Sequence, residues 1–411
     1  MDQTAIKALL DARISRARAK ELLIDLVRVP SPQTELLEDE PLLKQFIRTA
    51  IEPRLRAMGI ADIRYDAMGN LIATCGAATS GKSLMLVGNA MNQPAATMPN
   101  PYSGDVVDGA KYGLPGEAVM GKGASEQKAN LAAMLHALET VIGLGAPIAG
   151  KLIFLCCLSG ETGKHDAIMS VIEGAGVRAD MAVIGGTNLK ITLGNRGRID
   201  VHVTVKGSPC HSSRPWDGAN AITGATEAIR LLLAKVKLDQ THPQLGRQTL
   251  TVNHIRSFPD STHTVQERCE FTLDRRLLPG EDPNEAFAEI ERIAREVETF
   301  QDPVSRKRFA VEVRMGAYMY PSLVTTESPV VRTLLRATRV MLGQEADTYF
   351  SPAAFDQGYL NHVGIPTANY GAGENQYAHT DLDMASIERT ADAARVFAFV
   401  VLDYLAAPEA G

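Results

Sequence analysis

Three side chains that can bind a cation stand in loops beside apolar runs of the sequence. Glu126 lies in the loop GKGASEQK, Glu161 directly follows the run LIFLCCLSG, and His379 lies in the loop GAGENQYAHTDLD. Short and fully apolar runs are typical of parallel strands covered on both faces. Ligands of open α/β sheets bind where such strands end. Two carboxylates and one imidazole meeting there would provide an O,O,N site for a divalent metal ion.

Each of these residues also has a structural explanation. A glutamate at the start of a helix, such as Glu126, interacts favourably with the helix dipole. A glycine-rich loop such as the one around His379 is a common place for function, but it does not specify a metal. These residues alone therefore leave both interpretations open.

The elements around these residues alternate between helix and strand. The runs KLIFLCCL and MAVIGG predict buried strands. A helix is predicted before them, with Ser125 as its N-cap and five apolar residues on one face: Leu131, Met134, Leu135, Leu138 and Val141. This alternation predicts an α/β catalytic domain with a mostly parallel central sheet.

The pattern changes after about Leu189. The run RIDVHVTVKG alternates strictly between apolar and polar residues, as in an antiparallel strand with one solvated face. Two helices, near 219–236 and 284–297, and further strands follow in the order β-α-β-β-α-β, which predicts a ferredoxin-like α+β unit. Helix–strand alternation then resumes. We expect a catalytic domain of residues 1–188 and 322–411, interrupted by an inserted domain of residues 189–321.

Composition limits the possible partners and compartment. The chain has 411 residues and a formal net charge of −6, so its charge gives no reason to expect nucleic acid or an anionic membrane as a partner. Its five cysteines lack a C-x-x-C spacing, and the N-terminus has no uninterrupted apolar segment typical of a signal peptide. We expect a cytoplasmic protein without a membrane span.

Five motifs occur in order along the chain: GKGASEQK, GSPCHSSRPWDGANAI, DRRLLPGEDP, FDQGYLNHVGIP and AHTDLD. Through them, nearly the whole chain resembles the metallopeptidase family that includes carboxypeptidase G, aminoacylase, acetylornithine deacetylase and succinyl-diaminopimelate desuccinylase. The resemblance implies a zinc-peptidase-like catalytic domain and an inserted dimerisation (lid) domain. It also implies a homodimer or higher homo-oligomer that hydrolyses a C–N bond in a small anionic substrate.

The resemblance also implies metal ligands, and here the sequence departs from the family. Family members usually hold two metal ions that share one carboxylate, and Glu126 stands at that bridging position. Glu161 and His379 stand where the other two ligands of one metal belong. The second metal lacks its ligands, because Asn89 replaces a histidine and Gly186 replaces an acid. We therefore expect one divalent transition metal per subunit: Mn, Co, Fe or Zn.

A second departure concerns proton transfer. The family carries a general base directly before the ligand at position 161, and this chain has Gly160 there. The sequence leaves several replacement bases open: Asp105, Asp108, His165 and Glu374. One metal ion can still present hydroxide near neutral pH, but an unactivated amide also needs proton delivery to its nitrogen.

The loss of the second metal and the base points to a more electrophilic substrate. The resemblance to family members that act on such substrates implies the hydrolytic deamination of an activated aromatic amine, such as nitroanthranilate to nitrosalicylate plus ammonia, by metal-bound hydroxide. Two alternatives stay open. The first is an amidohydrolase or metallopeptidase acting on N-acyl amino acids. The second is a non-catalytic binding paralogue.

The inserted domain is expected to contribute catalytic residues. The resemblance implies that His211 reaches a neighbouring subunit's site to polarise the scissile group, and that Arg276 holds an anionic substrate group. His263 replaces a family asparagine, and it is a candidate for binding a substrate carboxylate or for donating a proton. The alternatives are that Arg276 pairs with Asp274 or Asp200 as scaffold, and that His263 is a polar edge residue. Two residues at the rim of the emptied metal pocket are candidate substrate-binding residues: Asn89 and Asn92.

Overall fold

The structure, a computed structural model, describes residues 2–145, 147–160 and 162–406. It divides the chain into two compact units. The first unit comprises Met1–Gly194, Leu323–Tyr349 and Tyr359–Gly411, and the second comprises Asn195–Ser322 and Phe350–Gly358. Glu161, one of the three predicted metal ligands, lies outside the described residues.

The helices of the described residues are α1 (Gln3–Arg13), α2 (Arg16–Val27), α3 (Pro41–Phe46), α4 (Glu52–Ala57), α5 (Ala129–Gly143), α6 (Asp166–Met169), α7 (Ala221–Lys235), α8 (Pro283–Arg295), α9 (Pro329–Leu342), α10 (Gln357–His362) and α11 (Ile387–Leu405). None of the helices in the described ranges is long and apolar enough to cross a membrane.

The strands of the described residues are β1 (Asp62–Tyr65), β2 (Leu71–Cys75), β3 (Ser83–Asn89), β4 (Asp105–Asp108), β5 (Glu117–Met120), β6 (Lys151–Cys157), β7 (Met181–Thr187), β8 (Ile191–Asn195), β9 (Gly197–Lys206), β10 (Thr241–His242), β11 (Gly246–Arg247), β12 (Thr249–Phe258), β13 (Arg268–Leu277), β14 (Ala310–Met319), β15 (Ser322–Leu323), β16 (Thr348–Ser351), β17 (Thr367–Gly373) and β18 (Met384–Ser386).

The first unit is built on a sheet with the strand order β1-β2-β6-β3-β7-β17. Strands β6, β3, β7 and β17 run parallel, whereas β1 and β2 add an antiparallel edge. The parallel strands are buried along almost their whole length, because helices and loops cover both faces of a parallel sheet. The predicted α/β class with a mostly parallel central sheet is confirmed.

Helix α5 packs against this sheet through Asn130. A Cβ on Gly185 of β7 would lie 2.7 Å from Cβ of Asn130, so this close approach requires glycine. Asn130 Nδ2 donates to the carbonyl of Glu126 at 3.0 Å, and Asn130 Oδ1 accepts from the N–H of Ala372 at 2.9 Å. One amide thus fixes the turn that carries Glu126 against strand β17.

The predicted N-cap of this helix was wrong. A π-helical turn, Ala124–Lys128, precedes α5, and no side chain caps it. The Ser125 hydroxyl instead donates to the carbonyl of Glu374 at 2.7 Å. Ser125 therefore connects two loops, a contact that local helix signals do not encode.

The second unit contains an antiparallel sheet of order β12-β13-β9-β14. Strand β9 alternates strictly between buried and half-buried residues, as its sequence predicts. Its apolar face packs against α7 and α8 around buried residues such as Val203, Phe271 and Ile290. With β9, α7, β12, β13, α8 and β14 in chain order, the predicted ferredoxin-like arrangement is confirmed.

Candidate metal centre

Glu126 lies on the π-helical turn before α5 and is only 7% exposed. Its Oε1 contacts Nε2 of His379. Its Oε2 is buried and has no hydrogen-bond partner among the described residues. Burying a carboxylate oxygen without a partner is costly, unless a cation or a donor lies beside it. The buried Oε2 of Glu126 can therefore serve as a donor atom to a cation.

His379 lies in the loop between β17 and β18, and its side chain is 57% exposed. Its backbone φ is +62°, in the left-handed region that non-glycine residues seldom adopt. Such backbone strain persists only where surrounding contacts enforce it. One of these contacts is a hydrogen bond from Nζ of the buried Lys122 to the carbonyl of Thr380, at 2.9 Å.

Asp383 joins the loop of His379 to the loop of Glu126. Its carboxylate is fully buried and accepts from the N–H groups of Gly123, at 2.6 Å, and Ser125, at 2.8 Å. Burial raises the pKa of Asp383 to about 6, although these two hydrogen bonds oppose the rise. Asp383 and Lys122 are positioning residues that the sequence did not single out, although Lys122 lies within the motif GKGASEQK and Asp383 ends the motif AHTDLD.

Substituting Asp383→Asn tests this connection. The amide can accept only one of the two backbone N–H groups and turns a donor toward the other, so a buried N–H loses its partner. We expect the variant to lose about 2 kcal/mol of unfolding free energy and to bind a divalent metal roughly 10-fold more weakly. Urea denaturation and calorimetric metal titration measure the two effects. Asp381→Asn, in the same loop, is the control, and equal losses in both variants would contradict a specific role of Asp383.

The paired side chains fit a divalent metal ion. A carboxylate oxygen and an imidazole nitrogen are donors that Zn, Mn, Co and Fe accept, and the buried Oε2 of Glu126 leaves one more donor atom available. Within residues 2–145, 147–160 and 162–406, no three His, Cys, Asp or Glu residues cluster as a complete site. The structure thus brings Glu126 and His379 together.

The two positions at which a second metal ion would need ligands do not provide them, because one holds an asparagine and the other has no space for a side chain. A Cβ on Gly186 would lie 2.7 Å from the backbone N and 3.0 Å from Cα of Tyr370, so this position has no room for an acid. A Cβ on Gly160 would lie 2.8 Å from Cγ of Asn89. The Asn89 amide thus occupies the space beside Gly160. Its Oδ1 is buried and has no hydrogen-bond partner among the described residues.

Asn92, the other candidate substrate-binding residue, is fully buried and fixed by scaffold contacts. Its Oδ1 accepts from the hydroxyl of Ser31 at 2.9 Å and from the N–H of Ser31 at 3.3 Å, while its Nδ2 donates to the carbonyl of Gln93 at 2.7 Å. These contacts hold the loop after β3 against the N-terminal segment.

The four candidate replacement bases differ in burial and in their hydrogen-bond or ring contacts. Glu374 is fully buried and paired with Arg389, and burial raises its pKa. Asp108 caps a short helical turn by accepting from the N–H of Ala110 at 3.1 Å. Asp105 is exposed. His165 is buried against the ring of Tyr359, with 5.5 Å between ring centroids.

In the second unit, the segments of His211 and His263 lie side by side. His211 forms an isolated β-bridge with Thr264, and the N–H of Ser212 donates to the carbonyl of His263 at 3.0 Å. Both histidines are exposed. Nδ1 of His211 accepts from the N–H of Ser213 at 3.2 Å, so a neutral His211 carries its proton on Nε2.

Arg276 lies on β13 and pairs with Asp274 through two hydrogen bonds, from Nε at 2.8 Å and from a terminal nitrogen at 3.0 Å. Arg198 also approaches Asp274, at 3.5 Å. Arg276 thus makes the scaffold pair with Asp274 that was the alternative to a substrate contact. The Arg276 side chain remains 30% exposed, which leaves room for a further anionic contact.

Comparison with known proteins finds a shared domain and relatives that match most of the chain. A family model described as a peptidase dimerisation domain matches residues 193–299. The N-formyl-4-amino-5-aminomethyl-2-methylpyrimidine deformylase of Halalkalibacterium halodurans is 24% identical over 90% of this chain and 91% of that protein. The acetylornithine deacetylase of Myxococcus xanthus is 26% identical over 83% of this chain and 90% of that protein.

Among solved structures, the M20 family metallo-carboxypeptidase Sso-CP2 from Sulfolobus solfataricus has the same fold. It superposes with a TM-score of 0.73 at 16% identity, covering 94% of this chain and 99% of that one. The matched dimerisation domain indicates that the protein forms homo-oligomers. The dimerisation domain, the two relatives that match over most of their length and the shared fold support a metal-dependent amidohydrolase that is similar to the M20 peptidases.

Proposed function

We propose that the protein hydrolyses the C–N bond of a small N-acyl compound that carries a carboxylate, using one divalent metal ion held by Glu126, Glu161 and His379. The observation that carries this proposal is the contact between His379 and Glu126, whose second oxygen is buried without a partner among the described residues. When bound, the ion would polarise a substrate oxygen as a Lewis acid.

The relatives favour an amide over an aromatic amine. The deformylase and the deacetylase are named for removing a formyl and an acetyl group. They do not support the nitroanthranilate deamination expected from the sequence. The alternative of an N-acyl amino acid substrate is therefore the one we adopt.

The protein side chains would bind and orient this substrate. Oδ1 of Asn89, which is buried and has no hydrogen-bond partner in the described part of the chain, can accept a hydrogen bond from the substrate N–H. His211 would donate from Nε2 to the developing oxyanion in a neighbouring subunit. Arg276 would bind the substrate carboxylate, and the exposed His263 would assist beside His211.

A metal-loading screen tests the proposal. The protein is stripped with EDTA, reloaded separately with Mn²⁺, Co²⁺, Fe²⁺ or Zn²⁺, and assayed with N-formyl, N-acetyl and N-succinyl amino acids beside nitro-substituted aminobenzoates. We expect reloaded protein to hydrolyse the N-acyl compounds with about one ion per chain, since the second site lacks its ligands. Activity that survives exhaustive EDTA treatment would contradict the metal. Turnover of the aminobenzoates alone would restore the aromatic reaction, and no turnover would favour a binding paralogue.

A further inference from the structure

Glu38 is a buried carboxylate that comes from a different segment than Glu126 and His379. It lies in the short helical turn Leu37–Asp39, between α2 and α3, and is 7% exposed. The residue before it, Leu37, has a φ of +52°, which turns the loop sharply at this point. Glutamate is seldom buried unless it is paired or has a function, and this loop is strained at the residue before it.

The carboxylate of Glu38 is held by the loop that follows β6. Its Oε1 accepts from the hydroxyl of Ser159 at 2.5 Å and from the hydroxyl of Thr162 at 3.1 Å. These two residues flank Gly160 and the predicted metal ligand. A carboxylate from a distant part of the chain is therefore held against the loop in which residue 160 contributes no side chain of its own.

A continuous series of contacts joins this loop to the candidate metal centre. Met91, just after β3, donates from its N–H to the carbonyl of Leu158 at 3.2 Å, so the ends of β3 and β6 run together. A Cβ on Gly123 would lie 2.6 Å from Cβ of Asn92, which places the loop of Glu126 beside the same segment. Glu38 thus belongs to the strand-end edge that carries the candidate ligands.

Amide hydrolysis needs a group that moves a proton. The base takes a proton from the attacking water as the new C–O bond forms, and it returns that proton to the nitrogen as the C–N bond breaks, so that a carboxylic acid and an amine result. In the described centre, Glu126 and His379 contact each other, and Glu374 is paired with Arg389. Glu38 is a further carboxylate at this edge, and two hydroxyls hold one of its oxygens in place.

We propose that Glu38 is this proton-transfer residue. The inference rests on the proposed amide hydrolysis and names the group that performs its acid–base step. The Asn89 amide fills the space that a side chain at position 160 would need. A carboxylate at this edge must therefore come from another segment, and the turn Leu37–Asp39 supplies one.

The test compares Glu38→Gln with Glu40→Gln in metal-loaded protein. Glu40 has the same 7% exposure, but its carboxylate accepts from Thr34 and from the N–H of Leu42. We expect Glu38→Gln to lower kcat for N-acetyl amino acids by roughly 100-fold or more and to remove the acidic limb of the kcat–pH profile. KM and the affinity for Co²⁺, read from its absorption spectrum, should stay within about threefold, because proton transfer does not bind the metal. In Glu38→Ala, added formate should restore part of the rate.

Three outcomes are separable. Wild-type turnover with an unchanged kcat in Glu38→Gln overturns the inference and leaves the proposed function in place. A tenfold loss of Co²⁺ affinity in Glu38→Gln, together with no rescue of Glu38→Ala by formate, would show that Glu38 only supports the loop 159–162. That result also overturns the inference. Wild-type protein that hydrolyses none of the substrates removes the proposed function and this inference together.

Discussion

His379→Ala is expected to abolish hydrolysis and to weaken the affinity for divalent metal by more than about 100-fold, since even residues that only support a ligand change affinity 10- to 100-fold. The substitution removes the imidazole and leaves the Glu126 carboxylate buried with one partner fewer. Metal binding stabilises a folded protein in proportion to its affinity. The wild-type melting temperature should therefore rise with added metal, and that of the variant should not.

His254→Ala is the matched control, because His254 is an exposed histidine on β12 in the second unit. It should leave the metal-dependent rise in melting temperature unchanged. Glu126→Gln should weaken metal binding as His379→Ala does. It should not destabilise the metal-free protein, since it removes a buried charge and keeps a side chain of the same size. Full metal affinity in both variants would show that the contact between Glu126 and His379 is only structural.

Gly186→Asp, which places an acid where a second metal ligand would belong, is expected to destabilise the first unit by about 3 kcal/mol or more. The added Cβ would meet the backbone N and Cα of Tyr370 at 2.7 and 3.0 Å, and backbone cannot move aside as a flexible side chain can. Gly186 lies in β7 beside β17, so the strain falls on the pairing that completes the central sheet. Urea denaturation measures the loss, and metal analysis should show no second ion.

Gly143→Ala serves as the comparison. Gly143 is the last residue of α5, and nothing lies within 4 Å of the Cβ that alanine would add. Alanine there should be neutral or stabilising by up to about 1 kcal/mol. A stable Gly186→Asp protein that binds two metal ions would show that β17 can shift, and would reopen the second site.

The sequence predicted what depends on local pattern. Strict alternation identified β9 as a half-solvated strand, and the helices predicted near 219–236 and 284–297 are α7 and α8. The resemblance placed Glu126 and His379 in one site, although 252 residues lie between them in the chain. The structure brings their side chains into contact.

Contacts between distant loops could not be predicted in this way. The burial of Glu38 depends on the hydroxyls of Ser159 and Thr162, and nothing in the acidic run TELLEDE separates it from its exposed neighbour Asp39. The bond from Ser125 to the Glu374 carbonyl replaced the predicted helix cap for the same reason. Hydrogen bonds of this kind follow from how loops pack, and that packing is a property of the whole fold.

The pairing of β17 with β7 has a consequence for biosynthesis. The ribosome makes β7 first and then the whole of Asn195–Ser322 before β17 emerges. Until then β7 presents an open edge, and open strand edges recruit other chains. The second unit can fold during this interval, because all four strands of its main sheet lie within that one continuous stretch. Shielding of the nascent β7 edge by a chaperone would therefore limit aggregation, and the catalytic unit would be completed last.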